Sequence, residues 1–151
     1  MDVTLQVTID CADPRRLVDF WCRALGYVPE PPPEGHATWR DHWAAMGVPE
    51  EELPGGAGEI PESIVDPAGR GPRVWFQRVA EPKVVKNRVH LDVKVGGGRR
   101  VPLSERVRRV TVVVERSTAA GGTVLRVLDH PDMEYYAVVL QDPEGNEFCV
   151  V

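Results

Sequence analysis

His90 and Asp92 are a pair of residues whose types and spacing could support catalysis. They lie two positions apart in residues 87–95, where apolar and polar residues alternate, so both side chains are expected on one face of a strand. A carboxylate beside an imidazole orients the ring and raises its basicity, which makes His90 a candidate general base. The alternative is that both residues are solvated and form only surface hydrogen bonds or a salt bridge.

A second polar face is expected near the start of the chain. Residues 3–11 also alternate, with Gln6, Thr8 and Asp10 on one side and apolar residues on the other, which is the period of a half-buried strand. These three residues either contact a ligand or form the solvent-exposed face of an antiparallel sheet. If the two alternating strands occupy equivalent places in the fold, the following polar residues point to one side: Gln6, Asp10, His90, Asp92 and Glu147.

Aromatic residues could supply the apolar walls of a site. Trp39 and Trp43 are one turn apart on a short expected helix, and they either pack locally or cover a flat ligand as a lid. Tyr135 and Tyr136 occupy opposite faces of an expected strand at residues 134–141, so either could add a phenolic hydrogen-bond donor. The sequence leaves both choices open.

One tight turn occurs twice, about half a chain apart. In Asp142-Pro143-Glu144-Gly145 and in Asp66-Pro67-Ala68-Gly69, Pro sets φ at the first corner, Gly accepts a positive φ, and the Asp side chain can cap the turn. In both copies an expected strand precedes the turn and another follows it. Two copies of the same turn indicate that the chain consists of two copies of one structural module.

The two halves repeat one order of elements. Each begins with an alternating strand, continues with a helix and ends with three further strands, which gives two βαβββ modules. The first helix begins at Asp13-Pro14 and ends at Gly26, and the second begins near Pro102 although residues 111–114 are β-branched. The predicted strands are residues 3–11, 27–29, 59–65 and 73–79 in module 1 (about 1–80), and residues 87–95, 123–128, 134–141 and 146–151 in module 2 (about 87–151).

The fold class predicted from this pattern is α+β. A four-stranded sheet with a helix on one face leaves its other face uncovered, so the two modules are expected to shelter a shared central cleft within one domain of residues 1–151. Residues 30–58, rich in Pro, Gly and Glu, are expected to be an insertion into module 1. The basic run at residues 83–88 is expected to be a solvated linker.

Composition narrows the function classes. The net charge of −5 and the absence of a basic stripe disfavour nucleic-acid binding. No apolar run reaches the length of a membrane span, and the N-terminus does not have the pattern of a signal peptide. Three cysteines without a CxxC spacing are typical of reduced thiols. We therefore expect a cytoplasmic protein with a small-molecule ligand and no nucleic-acid or membrane partner.

The sequence resembles the glyoxalase/bleomycin resistance/dioxygenase superfamily, also called the vicinal oxygen chelate superfamily, and within it a glyoxalase-like bacterial subgroup. The resemblance is carried by Asp13-Pro14 with residues 17–27, by Val89-His90-Leu91-Asp92-Val93, by residues 75–90, and by the closing Asp142-Pro143-Glu144-Gly145-Asn146-Glu147-Phe148. It covers nearly the whole chain except the insertion. It implies the paired βαβββ fold and a homodimer, whereas members differ widely in function.

The resemblance also implies where a divalent metal would bind. Metal-dependent members use side chains from the first, fourth, fifth and eighth strands, and these places fall on Gln6, Trp75, His90 and Cys149. Gln6 and His90 are acceptable ligands, but an indole offers no lone pair, and Cys149 would replace a carboxylate with a soft thiolate. Gln6, His90 and Cys149 are therefore weak candidates, the family metal centre is expected to be incomplete, and a divalent cofactor is left open.

Three functional hypotheses follow. The first is a protein that binds an antibiotic or metabolite in the cleft without a complete metal centre. The second is a lyase, isomerase or dioxygenase type of enzyme that uses His90 as a base or metal ligand, and the third is a non-catalytic dimerisation module. The residues expected to contact a ligand are Gln6, Thr8, Asp10, Trp75, Gln77, Asp92, Tyr135, Tyr136, Glu147 and Cys149.

Overall fold

The computed structural model describes residues 3–53 and 56–151, which form two compact units. Residues 54 and 55 of the predicted insertion lie outside the described residues. The first unit contains four strands, β1 (Gln6–Cys11), β2 (Val28–Pro29), β3 (Ser63–Val65) and β4 (Arg73–Arg78), with helices α1 (Pro14–Leu25) and α2 (Trp39–Ala45). The second contains β5 (Leu91–Val93), α3 (Leu103–Ala119), β6 (Thr123–His130), β7 (Tyr135–Gln141) and β8 (Glu147–Val150), and it includes residues 23–25 at the end of α1.

The two sheets have the same strand order. In the first unit the order is β1-β4-β3-β2, and in the second it is β5-β8-β7-β6. The first strand of each unit pairs in parallel with the last, and the other neighbours are antiparallel. This arrangement confirms the predicted α+β fold with two βαβββ modules.

Helix α1 forms for the reasons that the sequence indicated. The Asp13 carboxylate accepts hydrogen bonds from the backbone of Arg15 and Arg16, and Pro14 occupies the first helical position. Gly26 has φ 73°, the left-handed conformation that favours glycine after a helix. The buried apolar side chains of the first unit come from one side of this helix and from alternate strand positions: Leu17, Phe20, Trp21, Ile64, Val74 and Phe76.

Helix α3 forms in spite of its β-branched residues. Val110, Val113 and Ser117 are buried at helical spacing, and the helix packs against β7. The Ser117 hydroxyl donates a hydrogen bond to the Val113 carbonyl, so no polar group of that side chain is left unsatisfied in the core. The row of buried side chains that packs against the sheet therefore determines that this segment is helical, because tertiary packing commonly overrides local propensity.

The alternating segment at residues 87–95 is a correction to the sequence analysis. Its regular strand is confined to Leu91–Val93, and His90 lies immediately before it. Asn87 is held by a side chain rather than by a strand neighbour, since its backbone N–H donates to a Glu147 carboxylate oxygen at 3.0 Å.

Among the described residues, none of the helices is long and apolar enough to span a membrane.

Candidate functional site

The first unit contains a cavity of about 470 Å³, a size that accommodates small organic ligands. An adjoining cavity of about 310 Å³ shares the side chains of Trp43, Glu62 and Trp75 with it. The larger cavity is otherwise lined by Val48, Leu53, Ala57, Gln77 and Arg78, and the smaller one by Gln6, Trp39, Ile60, Ser63 and Arg73.

Strand β4 positions the central wall of both cavities. Val74 and Phe76 are buried, so the period of two places Trp75 and Gln77 on the other face of the sheet. In the parallel register, Thr8 of β1 lies opposite Trp75 and Asp10 lies opposite Gln77. Five predicted ligand-contacting residues thus occupy neighbouring positions on one sheet: Gln6, Thr8, Asp10, Trp75 and Gln77.

The inserted segment supplies the facing wall. Helix α2 begins with a capping box in which the Thr38 hydroxyl accepts from the Asp41 backbone and the Asp41 carboxylate accepts from the Thr38 backbone. The Trp39 indole donates to the Glu30 carbonyl at 3.2 Å, and its ring centroid lies 6.2 Å from that of Trp43. The two tryptophans therefore pack against each other and also line the smaller cavity, and their role as a lid over a ligand stays a prediction.

The end of the insertion is fixed against α2 by close backbone contact. The Arg40 guanidinium donates to the Ala57 carbonyl at 3.0 Å and forms an ion pair with Glu50. Gly58 has φ +73°, and a Cβ atom there would lie 2.6 Å from the Arg40 backbone nitrogen. Only glycine is compatible with this close backbone contact, so Gly58 allows the insertion to form this wall of the cavity.

Glu62 is a potential functional residue that the sequence analysis missed. It lines both cavities, and its carbonyl accepts a hydrogen bond from the Phe76 amide at 2.8 Å. Burial raises the pKa of its carboxyl group, and the charge of Arg78 opposes this only in part. The signal available in the sequence was a single charged residue in the run Ile60-Pro61-Glu62-Ser63-Ile64.

A polar network occupies the end of the smaller cavity. Arg73 donates to a Glu30 oxygen at 2.7 Å and to the Gln6 side-chain oxygen at 2.6 Å, and Ser63 donates to Glu30 at 2.6 Å. Burial acts to raise the pKa of the Glu30 carboxyl, but the hydrogen bonds from Arg73 and Ser63 and the charge of Arg73 outweigh it and hold the pKa below its ordinary value. The polar side chains of this network therefore provide hydrogen-bond partners for one another.

The residues of the first unit do not fit the family metal. The Gln6 oxygen already accepts a hydrogen bond from the Arg73 guanidinium, which is a fixed positive charge beside it. Trp75 carries no lone pair that a cation could use. A divalent ion would thus meet one occupied ligand, one non-ligand and a repelling cation, so this half of the family ligand set is lost.

The second unit brings three predicted site residues together. Asp92 on β5 lies opposite Cys149 on β8 in the parallel register, and His90 precedes β5 by one residue. His90 Nδ1 lies 3.4 Å from an Asp92 carboxylate oxygen, and His90 Nε2 lies 4.0 Å from Cys149 Sγ. Burial raises the pKa of the Cys149 thiol, and the negative charge of Asp92 acts in the same direction.

The other predicted residues of the second unit have local partners. The Glu147 carboxylate accepts from the Asn87 backbone at 3.0 Å and forms an ion pair with Lys83 at 3.1 Å. The Tyr135 ring stacks on His130 of β6, and Tyr136 is half-buried on β7. Their role as ligand contacts stays a prediction.

Comparison with known proteins identifies the family. A family model described as "Glyoxalase-like domain" matches residues 6–151. The chain belongs to this glyoxalase-like family. No curated protein matches the chain.

Solved structures agree with this fold. The fosfomycin resistance protein FosX from Listeria monocytogenes has a TM-score of 0.60 at 9% identity, with 99% of this chain and 90% of that chain covered. TioX from Micromonospora sp. ML1 has a TM-score of 0.53 at 18% identity, with 99% and 97% covered. A glyoxalase/bleomycin resistance protein/dioxygenase family enzyme from Burkholderia phytofirmans PsJN has a TM-score of 0.55 at 16% identity, with 96% and 94% covered. At these identities the likeness shows the fold alone.

The contacts of Glu147 predict how stability depends on pH. The hydrogen bond from the Asn87 backbone, with the contacts of Lys83, lowers the pKa of this carboxyl to about 2 from its ordinary 4.5. Its contribution to stability is therefore complete above about pH 4.5 and is lost as the pH falls towards 2. Glu147→Gln should lower the unfolding free energy at neutral pH, and its difference from the wild type should shrink through that acidic window.

Urea unfolding at several pH values measures this difference. Glu115→Gln on the exposed side of α3 is the matched control and should leave the pH profile unchanged. A Glu147→Gln difference that stays constant from neutral pH to about pH 2 would contradict the assignment.

Proposed function

We propose that the protein binds a flat, largely apolar small molecule in the cavity lined by Trp43, Glu62 and Trp75. The observation that carries this proposal is the combination of two tryptophans and one half-buried carboxyl group in a space of about 470 Å³. Tryptophan offers a large apolar face for stacking, and a few polar groups in an apolar cavity fix the orientation of a ligand. The ligand is held by the protein alone, without a metal of the family type.

The carboxyl group of Glu62 defines the polar end of the ligand. Because burial raises its pKa, the ionised form is disfavoured until a positive or strongly hydrogen-bond-donating group replaces the lost water. A ligand with an amine, amidine or protonated ring nitrogen at one edge would supply that group. The Gln77 amide lines the same cavity and can donate or accept a further hydrogen bond.

The names of two structural neighbours suggest a ligand class. One structural neighbour is a fosfomycin resistance protein, and another belongs to the glyoxalase/bleomycin resistance protein/dioxygenase family. We therefore expect an antibiotic or a metabolite of similar size, bound and sequestered rather than converted. Formation of a product from the ligand would overturn sequestration and favour an enzyme.

Removal of the Trp75 side chain should weaken binding. Compounds that quench tryptophan fluorescence or raise the melting temperature identify ligands, and calorimetry then gives their affinity. Trp75→Leu keeps an apolar residue on β4 but loses the stacking surface, so the dissociation constant should rise at least about tenfold. Met46→Ala, an exposed residue just after α2, is the control and should bind normally.

The binding proposal fails if ligands bind Trp75→Leu and the wild type equally well. It fails also if a broad panel of metabolites and antibiotics gives no ligand, which would favour the dimerisation module.

Glu62→Gln should remove the preference for positive charge. The wild type should bind an amine-bearing ligand more tightly than its neutral isostere, and the affinity should increase as the pH rises and Glu62 ionises. In Glu62→Gln both the preference and its pH dependence should disappear. Folding should be no weaker at neutral pH, because a carboxyl whose pKa is raised by burial opposes folding above its ordinary pKa of 4.5.

Glu59→Gln, an exposed acid before β3, is the matched control for this experiment. A charge preference that survives in Glu62→Gln would show that another group recognises the ligand.

A further inference from the structure

We propose that Cys149, His90 and Asp92 form a nucleophilic relay in which the Cys149 thiol adds to an electrophilic carbon of an α,β-unsaturated carbonyl compound. This reactivity belongs to the second unit and goes beyond the binding function proposed for the cavity of the first unit.

The two ring nitrogens of His90 face different partners. Nδ1 lies 3.4 Å from the Asp92 carboxylate, and Nε2 lies 4.0 Å from Cys149 Sγ, within the range of a hydrogen bond to sulfur. A carboxylate at Nδ1 favours the tautomer that carries its proton there, which leaves the Nε2 lone pair directed at the thiol. Nucleophile, base and orienting carboxylate are thus arranged in the order that activates a serine or cysteine.

The sheet holds Asp92 and Cys149 in place, and His90 directly precedes β5. Asp92 and Cys149 are directly paired across β5 and β8, and Val139 of β7 continues the same cross-strand row. Arg126 of β6 is paired with Val139, and the positive charges of Arg126 and Lys86 act to stabilise negative charge on the sulfur. A site on paired strands is more rigid than one on a loop, because the register fixes the Cβ positions.

Access to the sulfur comes from the side of its partners. Cys149 is buried, whereas the side chains of His90 and Asp92 are 32% and 50% exposed. The limited exposure of the sulfur favours a small electrophile over a bulky one. An unsaturated carbonyl compound satisfies this restriction and is a soft partner for a thiol.

The addition needs no further reactant. The bond from Sγ to the β-carbon forms while the carbon–carbon double bond breaks and its electron pair moves to the carbonyl as an enolate. His90 takes the thiol proton on Nε2 and then returns it to the α-carbon. The product is a thioether, with no change in the total number of protons or electrons.

The same three residues also have the spacing of a metal site. The three groups can bring one ligand atom each within 4.8 Å of one another, which a soft divalent ion such as Zn²⁺ could use. Zinc analysis of the purified protein therefore distinguishes the relay from a metal site.

Labelling with N-ethylmaleimide, followed by mass spectrometry of each cysteine, tests the proposal. Cys22 is an internal control, because burial and the charge of Asp19 raise the pKa of its thiol to about 11. At neutral pH, Cys149 should react roughly a hundredfold faster than Cys22, the advantage that a general base gives. His90→Ala should abolish most of this difference, and Asp92→Asn should reduce it about tenfold.

His130→Ala is the matched control, since this second histidine of the unit stacks on Tyr135 instead. It should leave the labelling rate of Cys149 unchanged, and circular dichroism should show that every variant is folded. Equal labelling of Cys149 and Cys22 would overturn the proposal, as would a rate that His90→Ala does not alter. Stoichiometric Zn²⁺ in the purified wild type, lost in His90→Ala, would overturn it too, because a metal on Nε2 leaves no base for the thiol.

The outcome is separable from that of the proposed function. The maleimide experiment measures the reactivity of a cysteine in the second unit, whereas the ligand titrations measure the effects of substitutions at Trp75 and Glu62 in the first. Failure of the relay leaves the binding cavity intact, and failure to find a ligand leaves the reactivity of Cys149 to be measured.

Discussion

The burial of Val74 and Phe76 is the constraint on which the candidate site depends. With these two side chains fixed in the core, the pleat of β4 turns Arg73, Trp75 and Gln77 to the opposite face. The parallel pairing with β1 then sets polar residues beside them. A register slip of one residue would exchange the two faces, so the hydrophobic core and the cavity are specified by the same alternation.

The insertion turns this exposed sheet face into a cavity. Without it, Trp75 and the β1 side chains would form an open polar surface with one aromatic ring. The capped helix α2 brings Trp39 and Trp43 to this face, and the close contact of Gly58 with Arg40 fixes the returning chain. Arg73 forms an ion pair with Glu30 and donates a hydrogen bond to Gln6.

Local patterns were sufficient to predict most of the fold. The alternation of β1, the Asp-Pro start of α1 and the two Asp-Pro turns depend on neighbouring residues, and both turns are capped as expected: the Asp66 carboxylate accepts from the backbone of Ala68, and that of Asp142 accepts from the backbone of Glu144. The spacing of His90 and Asp92 placed them together correctly, although His90 lies before the strand rather than within it. Glu62 could not be found in this way, because its raised pKa comes from burial by residues distant in sequence. Cys149 was placed by resemblance, but its contact with His90 depends on the pairing of β5 with β8.

The most direct test of a ligand site at Trp75 uses fluorine NMR of protein labelled with 5-fluorotryptophan. The four tryptophans give four signals, which single substitutions assign. On addition of a ligand, the signals of Trp43 and Trp75 should move together, while that of Trp21, buried in the core of the first unit, should stay in place. A saturating ligand that leaves the Trp43 and Trp75 signals unmoved would contradict the account.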